Sequence, residues 1–252
     1  LDRQNMHVSG LSEDDFRVYE DGVLQQIRHF SHEDSPVTVG LVIDNSSSMA
    51  RHRDDVIAAA LAFTDSRNSQ DQAFVVKFNE RITFGLPPDM PFTDQKLRLR
   101  QALSGIVASG ETALYDGIAA ALDHLKQSTR DKRVLILISD GGDNASVHTS
   151  AQVINMAQHS TAIIYVIGIF DEEDDDRNPA ILRRLAKETG GEAFFPQSFK
   201  DIGSLCEEIA HDIRDQYTLA YVPTRIMHGD RYRTIKVTAN APGRGHLSVR
   251  TR

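Results

Sequence analysis

The sequence predicts an α/β fold, a doubly wound and mainly parallel sheet with a small β appendage formed by both chain ends. Three observations predict it. Apolar runs rich in β-branched residues at 37–43, 134–139 and 162–169 read as buried strands. Stretches with apolar residues at helical spacing lie between them, and strands alternating with helices imply a mainly parallel sheet covered on both faces. After residue 216 the pattern changes to strand-like runs with no helix between them.

The elements follow in order. Residues 16–19 alternate toward Glu20-Asp21-Gly22 and 23–30 resume an extended pattern, so Asp-Gly marks a hairpin turn. The buried strand 37–43 precedes a helix over 54–66 that carries Val56, Ala59, Ala60 and Phe63 at helical spacing. Residues 73–78 and 82–84 read as strands joined in a hairpin through Asn79 and Glu80, and Pro87-Pro88 closes this section. Helices are expected over 97–106 and 113–125, the second with Leu114, Ile118, Ala121, Leu122 and Leu125 inward. Then come strand 134–139, helix 150–159, strand 162–169, helix 180–189, strand 193–195 and helix 202–215. The strand-like runs 217–222, 232–239 and 246–250 are expected to pair with the amino-terminal hairpin. The chain thus divides into residues 1–35, an amino-terminal hairpin segment of the appendage; 36–215, the α/β domain; and 216–252, its carboxy-terminal strands.

Composition narrows the function classes. At 252 residues the chain is long enough for one or two domains with a sizeable core. The net charge is −8, and the run at 171–176 supplies six of those negatives, so the remainder is nearly balanced and nothing recommends a nucleic-acid partner. No apolar stretch approaches the roughly 18 residues of a transmembrane segment. Leu1 opens the chain without an initiator Met or a signal-peptide pattern, which predicts a trimmed or processed piece. The single cysteine, Cys206, shares a helical face with Ile202, Leu205, Ile209 and Ile213 and is expected to be a core thiol. The ten histidines form neither a His-Glu-x-x-His nor a Cys/His zinc pattern, and His29 and His32 on an extended segment point to opposite faces. Gly243-Arg244-Gly245 lacks the third glycine and helix of a dinucleotide loop and reads as a turn; no Walker loop or Gly-x-Ser-x-Gly occurs.

The informative stretch is Asp44-Asn45-Ser46-Ser47-Ser48-Met49, directly after the first buried strand. In open α/β sheets ligands gather outside the carboxyl ends of such strands. Asp44, Ser46 and Ser48 offer only oxygen donors, which suit Mg²⁺, Mn²⁺ or Ca²⁺ better than Zn²⁺ or Cu²⁺. A six-coordinate shell needs more, and two places supply oxygens on the same edge: Thr112 in the turn at 110–117, and Asp140 at the end of strand 134–139.

Asp-x-Ser-x-Ser, a later Gly-x-Thr-x-Leu-x-Asp turn and a Ser-Asp-Gly strand end together resemble the von Willebrand factor type A domain, in order and spacing, over roughly residues 37–215. The resemblance implies a Rossmann-like sheet and a metal-ion-dependent adhesion site on Asp44, Ser46, Ser48, Thr112 and Asp140. That site would hold a divalent cation, Mg²⁺ foremost with Mn²⁺ or Ca²⁺ as alternatives, and leave one position for an acidic side chain of a protein or peptide partner. The flanks 11–22 and 216–223 are similar to segments bracketing this domain in exported bacterial proteins abundant in Acidobacteria, which implies a periplasmic, cell-surface or secreted location. Glu111 departs from the small or neutral residue common at its position and adds negative charge beside the ion. Asp143, Asn144 and Ser146 are spaced for turn and cap hydrogen bonds, and the acidic run 171–176 reads as a solvated loop. The leading function is a non-enzymatic, cation-dependent protein-binding module. The alternatives are a structural subunit of a larger assembly and a Mg²⁺-dependent phosphoester hydrolase, for which no second acid or phosphate-holding lysine or arginine is placed by motif.

Overall fold

The computed structural model describes residues 8–32, 35–66, 68, 70–104, 107–170, 175, 177–196, 202–224, 233–241 and 245–251. Contacts divide the chain into a larger unit, Ser35–Ala210, and a smaller one built from both ends, Leu1–Asp34 with His211–Thr251. The amino-terminal end contributes β1 (Phe16–Glu20), β2 (Val23–Gln25) and β3 (Ile27–Ser31). There follow β4 (Val37–Asp44), α1 (Arg53–Ser66), β5 (Gln72–Phe78), β6 (Ile82–Phe84), α2 (Lys96–Leu103), α3 (Leu114–Leu125) and β7 (Lys132–Ser139). Then come α4 (Ser150–His159), β8 (Ala162–Gly168), α5 (Pro179–Glu188), β9 (Ala193–Phe194) and α6 (Ile202–Arg214). The chain ends with β10 (Thr218–Tyr221), β11 (Ile235–Ala241) and β12 (Gly245–His246).

In the larger unit the strand order is β6-β5-β4-β7-β8-β9. All neighbours are parallel except β6, which returns antiparallel on β5 through the predicted hairpin. All eight residues of β4 are buried, as a strand covered on both faces requires. Val42, Phe74, Val76, Leu135 and Leu137 pack in one core with apolar residues of α3, α4 and α5. Val75 points the other way, and a side-chain carbon on Gly85 would meet both Val75 and Ala102, so α2 covers the opposite face. There α1 packs on α2, and the Cys206 thiol donates to Ala59 O at 3.3 Å. Cys206 is fully buried, and that burial pushes its pKa up to about 12.

The order places a topological switch at β4 and β7: from β4 the chain passes to β5 on one side, and from β7 to β8 on the other. The crevice outside the carboxyl ends of two such strands is where ligands bind in open α/β sheets.

In the smaller unit β11 pairs antiparallel with β1, so the two chain ends share a four-stranded sheet of order β12-β11-β1-β2. Asp21 and Gly22, at φ 48° and 80°, form the two-residue turn between Glu20 and Val23. Phe16, Phe30 and Tyr217 meet at centroid separations of 5.1 to 5.8 Å in its core.

Several expected boundaries are corrected. The run 23–30 is two strands: the chain leaves the first sheet after Gln25, whose side chain binds Thr224 N and Val23 O, and β3 pairs with β10 in a separate ladder. The run 246–250 is not a strand beyond His246; its apolar alternation serves the small core, where Leu247 is 2% exposed. Helix α2 stops at Leu103, where extended Ser104 bonds back to Arg100 O and Gln101 O. The ends of that expected helix at 105–106, of the acidic run apart from Asp175, and of the turn at 243–244 lie outside the described residues.

Candidate metal centre

Asp44 is the last residue of β4 and Asp140 follows the last residue of β7, so neighbouring parallel strands each deliver a carboxylate to the switch crevice. Both are 1% exposed. After β4 the chain tightens into a 3-10 turn over Ser47–His52, anchored by buried Met49. This turn aims hydroxyls back at the strand end. Ser46 donates to Asp44 Oδ1 from its backbone N at 3.0 Å and from its Oγ at 2.6 Å, and the Ser46 and Ser48 hydroxyls lie 3.0 Å apart.

Thr112 reaches the same edge through backbone ties. Ser47 N donates to Gly110 O at 3.1 Å and Ser109 N to Asn45 O at 2.9 Å, joining the loop before α3 to the Asp44 turn. Thr112 N donates to Asn144 Oδ1 at 2.8 Å, while Thr112 O accepts from Asn144 N and Ala145 N, joining that loop to the one after β7. Helix α3 approaches the sheet closely enough that a side-chain carbon on Gly117 would meet the Phe78 ring at 2.7 Å. The fold thus brings all five sequence-predicted residues to one edge, with Thr112 buried and Glu111 exposed.

Ser139 is the member that sequence reasoning missed. Its hydroxyl donates to Asp44 Oδ2 at 2.6 Å and accepts from Gly141 N at 3.0 Å. The available signal was a lone hydroxyl closing an otherwise apolar strand. Asp143, Asn144 and Ser146 take the structural roles expected of them. Asp143 Oδ1 accepts from Tyr115 N and from Ser146 Oγ, and Ser146 Oγ accepts from Asp116 N, so these side chains cap the start of α3.

The electrostatics of Asp44 are unusual. Burial foremost, and then the charge of Asp140, push its pKa up to about 7, against the lowering effect of the Ser139 and Ser46 hydrogen bonds. All those hydrogen-bond partners are neutral. A buried carboxylate beside a second one is an arrangement that a cation stabilises. The donor set suits a hard one: two carboxylates and three hydroxyls, with no thiolate or imidazole. Among the described residues, no group of three His, Cys, Asp or Glu side chains forms a metal cluster. The candidate set differs from such a cluster in drawing most of its donors from Ser and Thr.

Comparison with known proteins agrees with this architecture. The sequence profile of the von Willebrand factor type A domain matches residues 38–208. An uncharacterized protein of Borreliella burgdorferi is 28% identical over 151 residues, which cover 57% of this chain and 43% of that protein. The structure of a von Willebrand factor type A protein from Catenulispora acidiphila superposes with a TM-score of 0.60 at 20% identity, covering 72% of this chain and 43% of that one. The von Willebrand factor domain of the type V pili tip protein from Porphyromonas gingivalis superposes with a TM-score of 0.56 at 17% identity, covering 71% and 95%. The chain therefore spans less than half the length of the first two relatives, and the structural likenesses show a shared fold.

Proposed function

The chain belongs to the von Willebrand factor type A family, and from that premise we propose that it is a non-enzymatic, cation-dependent protein-binding module. In this reading Asp44, Ser46, Ser48, Thr112 and Asp140 hold a divalent cation, Mg²⁺ foremost and Mn²⁺ or Ca²⁺ otherwise. Such an ion supplies a Lewis-acidic docking point that an acidic side chain of a protein or peptide partner can complete. The observation that carries the reading is Asp44: a buried carboxylate whose bonded partners are hydroxyls and one amide, set beside a second buried carboxylate. Ser139 and Ser46 fix its two oxygens, so the group is oriented before any ion arrives. A location outside the cytoplasm is part of the proposal, supported by the flanking segments and by the pilus-tip relative. No helix among the described residues is long and apolar enough to cross a membrane.

The absence of turnover is likewise proposed, because no recognisable catalytic motif in the sequence places a nucleophile together with a general base. The decisive experiment is affinity capture of partners with Mg²⁺ or EDTA, comparing wild type with Asp44→Ala. Partners retained only by wild type in Mg²⁺ support the reading. Capture that is indifferent to both the ion and the substitution overturns it, and Mg²⁺-dependent hydrolysis of a phosphoester panel that vanishes in Asp140→Ala would replace it with an enzyme.

A further inference from the structure

The sheet of the larger unit ends on β6, and the outer edge of that strand is open. Asn79 N donates to Arg81 O and Gly85 N donates to Val75 O, so Asn79 with Arg81 and Val75 with Gly85 are hydrogen-bonded pairs. In an antiparallel ladder bonded and non-bonded pairs alternate. With Thr83 opposite Lys77, and Ile82 and Phe84 opposite Phe78 and Val76, Thr83 bonds β5 while Ile82 and Phe84 turn both N–H and C=O away from the sheet. Among the described residues no protein group bonds those four. The strand is exposed throughout and contains no proline, lysine or bulge of the kind that blunts an edge.

The two faces of this edge differ in chemistry. Side chains alternate along a strand, so Ile82 and Phe84 share one face and Arg81 and Thr83 the other. Ile82 is 37% and Phe84 41% exposed. The Phe84 ring lies 4.8 Å from that of His124 on α3, and His124 Nε2 donates to Pro91 O at 2.8 Å, which fixes the ring under this apolar ledge. The opposite face belongs to α2, which meets Gly85 at Ala102 and carries Lys96, Arg98 and Arg100 with no acid. Lys96 and Arg100 are spent on Asp65, whereas Arg98 bonds the neutral Gln95 side chain. Among the described residues Arg81 has no ionic partner, and the neighbouring Glu80 carboxylate is turned onto Gly110.

We propose that the outer edge of β6 takes an extended segment of a partner protein as a seventh strand, one with apolar side chains on the Ile82 and Phe84 face and acidic side chains on the Arg81 face. Backbone pairing supplies the attachment, and the alternation of the segment supplies the selection. Charge opposes a second copy of this chain as the occupant, since edge-to-edge pairing about a two-fold axis would lay two basic α2 faces side by side. The surface is independent of the cation reading, because none of its groups is among the proposed ligands.

The test titrates three peptides into the chain and follows the amide resonances of residues 82–84. They are acetyl-Thr-Val-Glu-Val-Glu-Val-Thr-amide, its counterpart with lysine for glutamate, and the glutamate peptide N-methylated at every residue, which keeps the side chains and removes the donors. The glutamate peptide should bind, slow hydrogen exchange at Ile82 and Phe84, and leave Thr83, already bonded to β5, unchanged. The N-methylated peptide should not bind. The lysine peptide should bind at least about threefold more weakly, and Arg81→Glu should remove that preference. Ile82→Pro deletes one outward donor and spares the ladder to β5, so it should weaken the glutamate peptide roughly three- to tenfold beyond the effect of Ile82→Ala, which keeps the N–H. These results should be the same in Mg²⁺ and EDTA and in Asp44→Ala. Binding that needs the ion would place the peptide on the cation site and overturn the edge, whereas loss of the cation reading would leave the edge standing. The proposal also falls if the glutamate peptide does not bind, if the N-methylated or lysine peptide binds as well as it does, or if Ile82 and Phe84 exchange as freely with the peptide as without. Exchange at those two residues that slows with protein concentration alone would make a second copy the occupant and overturn it equally.

Discussion

Two aspartates on the same edge of the sheet, Asp44 and Asp116, each accept three hydrogen bonds and end in opposite electrostatic states. Asp44 receives Ser46 N, Ser46 Oγ and Ser139 Oγ, and its pKa is pushed up to about 7. Asp116 receives Val147 N at 2.9 Å and His148 N at 2.9 Å, with the His148 Nδ1 at 2.7 Å. Burial pushes Asp116 up as well, but there the hydrogen bonds and the imidazole prevail and its pKa is lowered. The count of donors therefore does not separate the two. Depth and neighbouring charge do: Asp44 is 1% exposed beside Asp140, whereas the Asp116 side chain is 18% exposed beside a group that can be cationic. The charge of Asp116 is absorbed in holding the loop after β7 against α3. That of Asp44 is disfavoured by its own fold, which is how the carboxylate proposed to hold a cation differs from a structural one.

The strongest way to break this comparison is to add the cation. An ion that binds only the folded state adds about 2.7 kcal/mol at a hundred times its dissociation constant. Each kcal/mol moves the melting midpoint of a chain this size about 2–4 °C. Saturating Mg²⁺ should therefore raise the midpoint by roughly 5–11 °C over EDTA. Asp44→Ala should lose most of that shift yet melt in EDTA within a few degrees of wild type, since it removes a ligand and a disfavoured charge together. Equal Mg²⁺ shifts in both proteins would remove Asp44 from the ligand set. The pH dependence has a definite sign. In EDTA the folded state keeps a proton on Asp44 that the unfolded chain releases between pH 3.8 and about 7, so this group makes stability fall as pH rises through that window. The Mg²⁺ shift should grow over the same window, because proton and cation compete for one carboxylate.

Asp116→Ala should behave in the opposite way. It strips the acceptor from two backbone N–H groups, at a cost of about 1–3 kcal/mol. The loss should be the same in Mg²⁺ and EDTA, as paired thermal melts would show. A loss confined to Mg²⁺ would make Asp116 part of the cation machinery.

The two aspartates also differ in how legible they were. Asp44, Ser46 and Ser48 could be read because donors two apart follow directly on an apolar strand, a local pattern. Asp140 needed the further inference that parallel strands place their carboxyl ends together, whereas Thr112, in a turn before a helix, was reached as an oxygen donor in that turn and through the family resemblance. The role of Asp116 depends on partners 31 and 32 residues away, and the Ser139 bond to Asp44 spans 95, so neither leaves a local periodicity to read. The split at Gln25 was invisible for the same reason: extended residues look alike whichever sheet they join. Helices α3 and α5 were legible because their apolar faces repeat within a single element.

A smaller effect sharpens the acid side of the comparison. Because the folded pKa of Asp116 lies below its ordinary 3.8, its contribution is complete above that value and is lost as pH falls through the folded pKa. Asp116→Asn should flatten the acid limb of the stability curve there and leave unchanged the fall above 3.8 to which Asp44 contributes. Urea melts at stepped pH in EDTA would resolve the two limbs; an unchanged acid limb in Asp116→Asn would mean that other carboxylates govern it.

The smallest expected effect is a null one, and it shows that a raised pKa does not by itself mark a site. Cys206 is displaced upward too, to about 12, chiefly by burial. Yet its thiol has a protein acceptor in Ala59 O and lies within the packing of α1 and α6. Protonation leaves the thiol with its acceptor, whereas protonating Asp44 relieves the repulsion from Asp140 and removes a proposed metal ligand. The native thiol should therefore resist a thiol-exchange reagent equally in Mg²⁺ and EDTA, since the thiolate is the reactive form. Cys206→Ala should keep the whole Mg²⁺-induced rise in melting midpoint, whatever it costs in packing. Were that rise to shrink as it does in Asp44→Ala, the distinction drawn from neighbouring charge would fail, and coupling through the α1 face of the sheet would have to take its place.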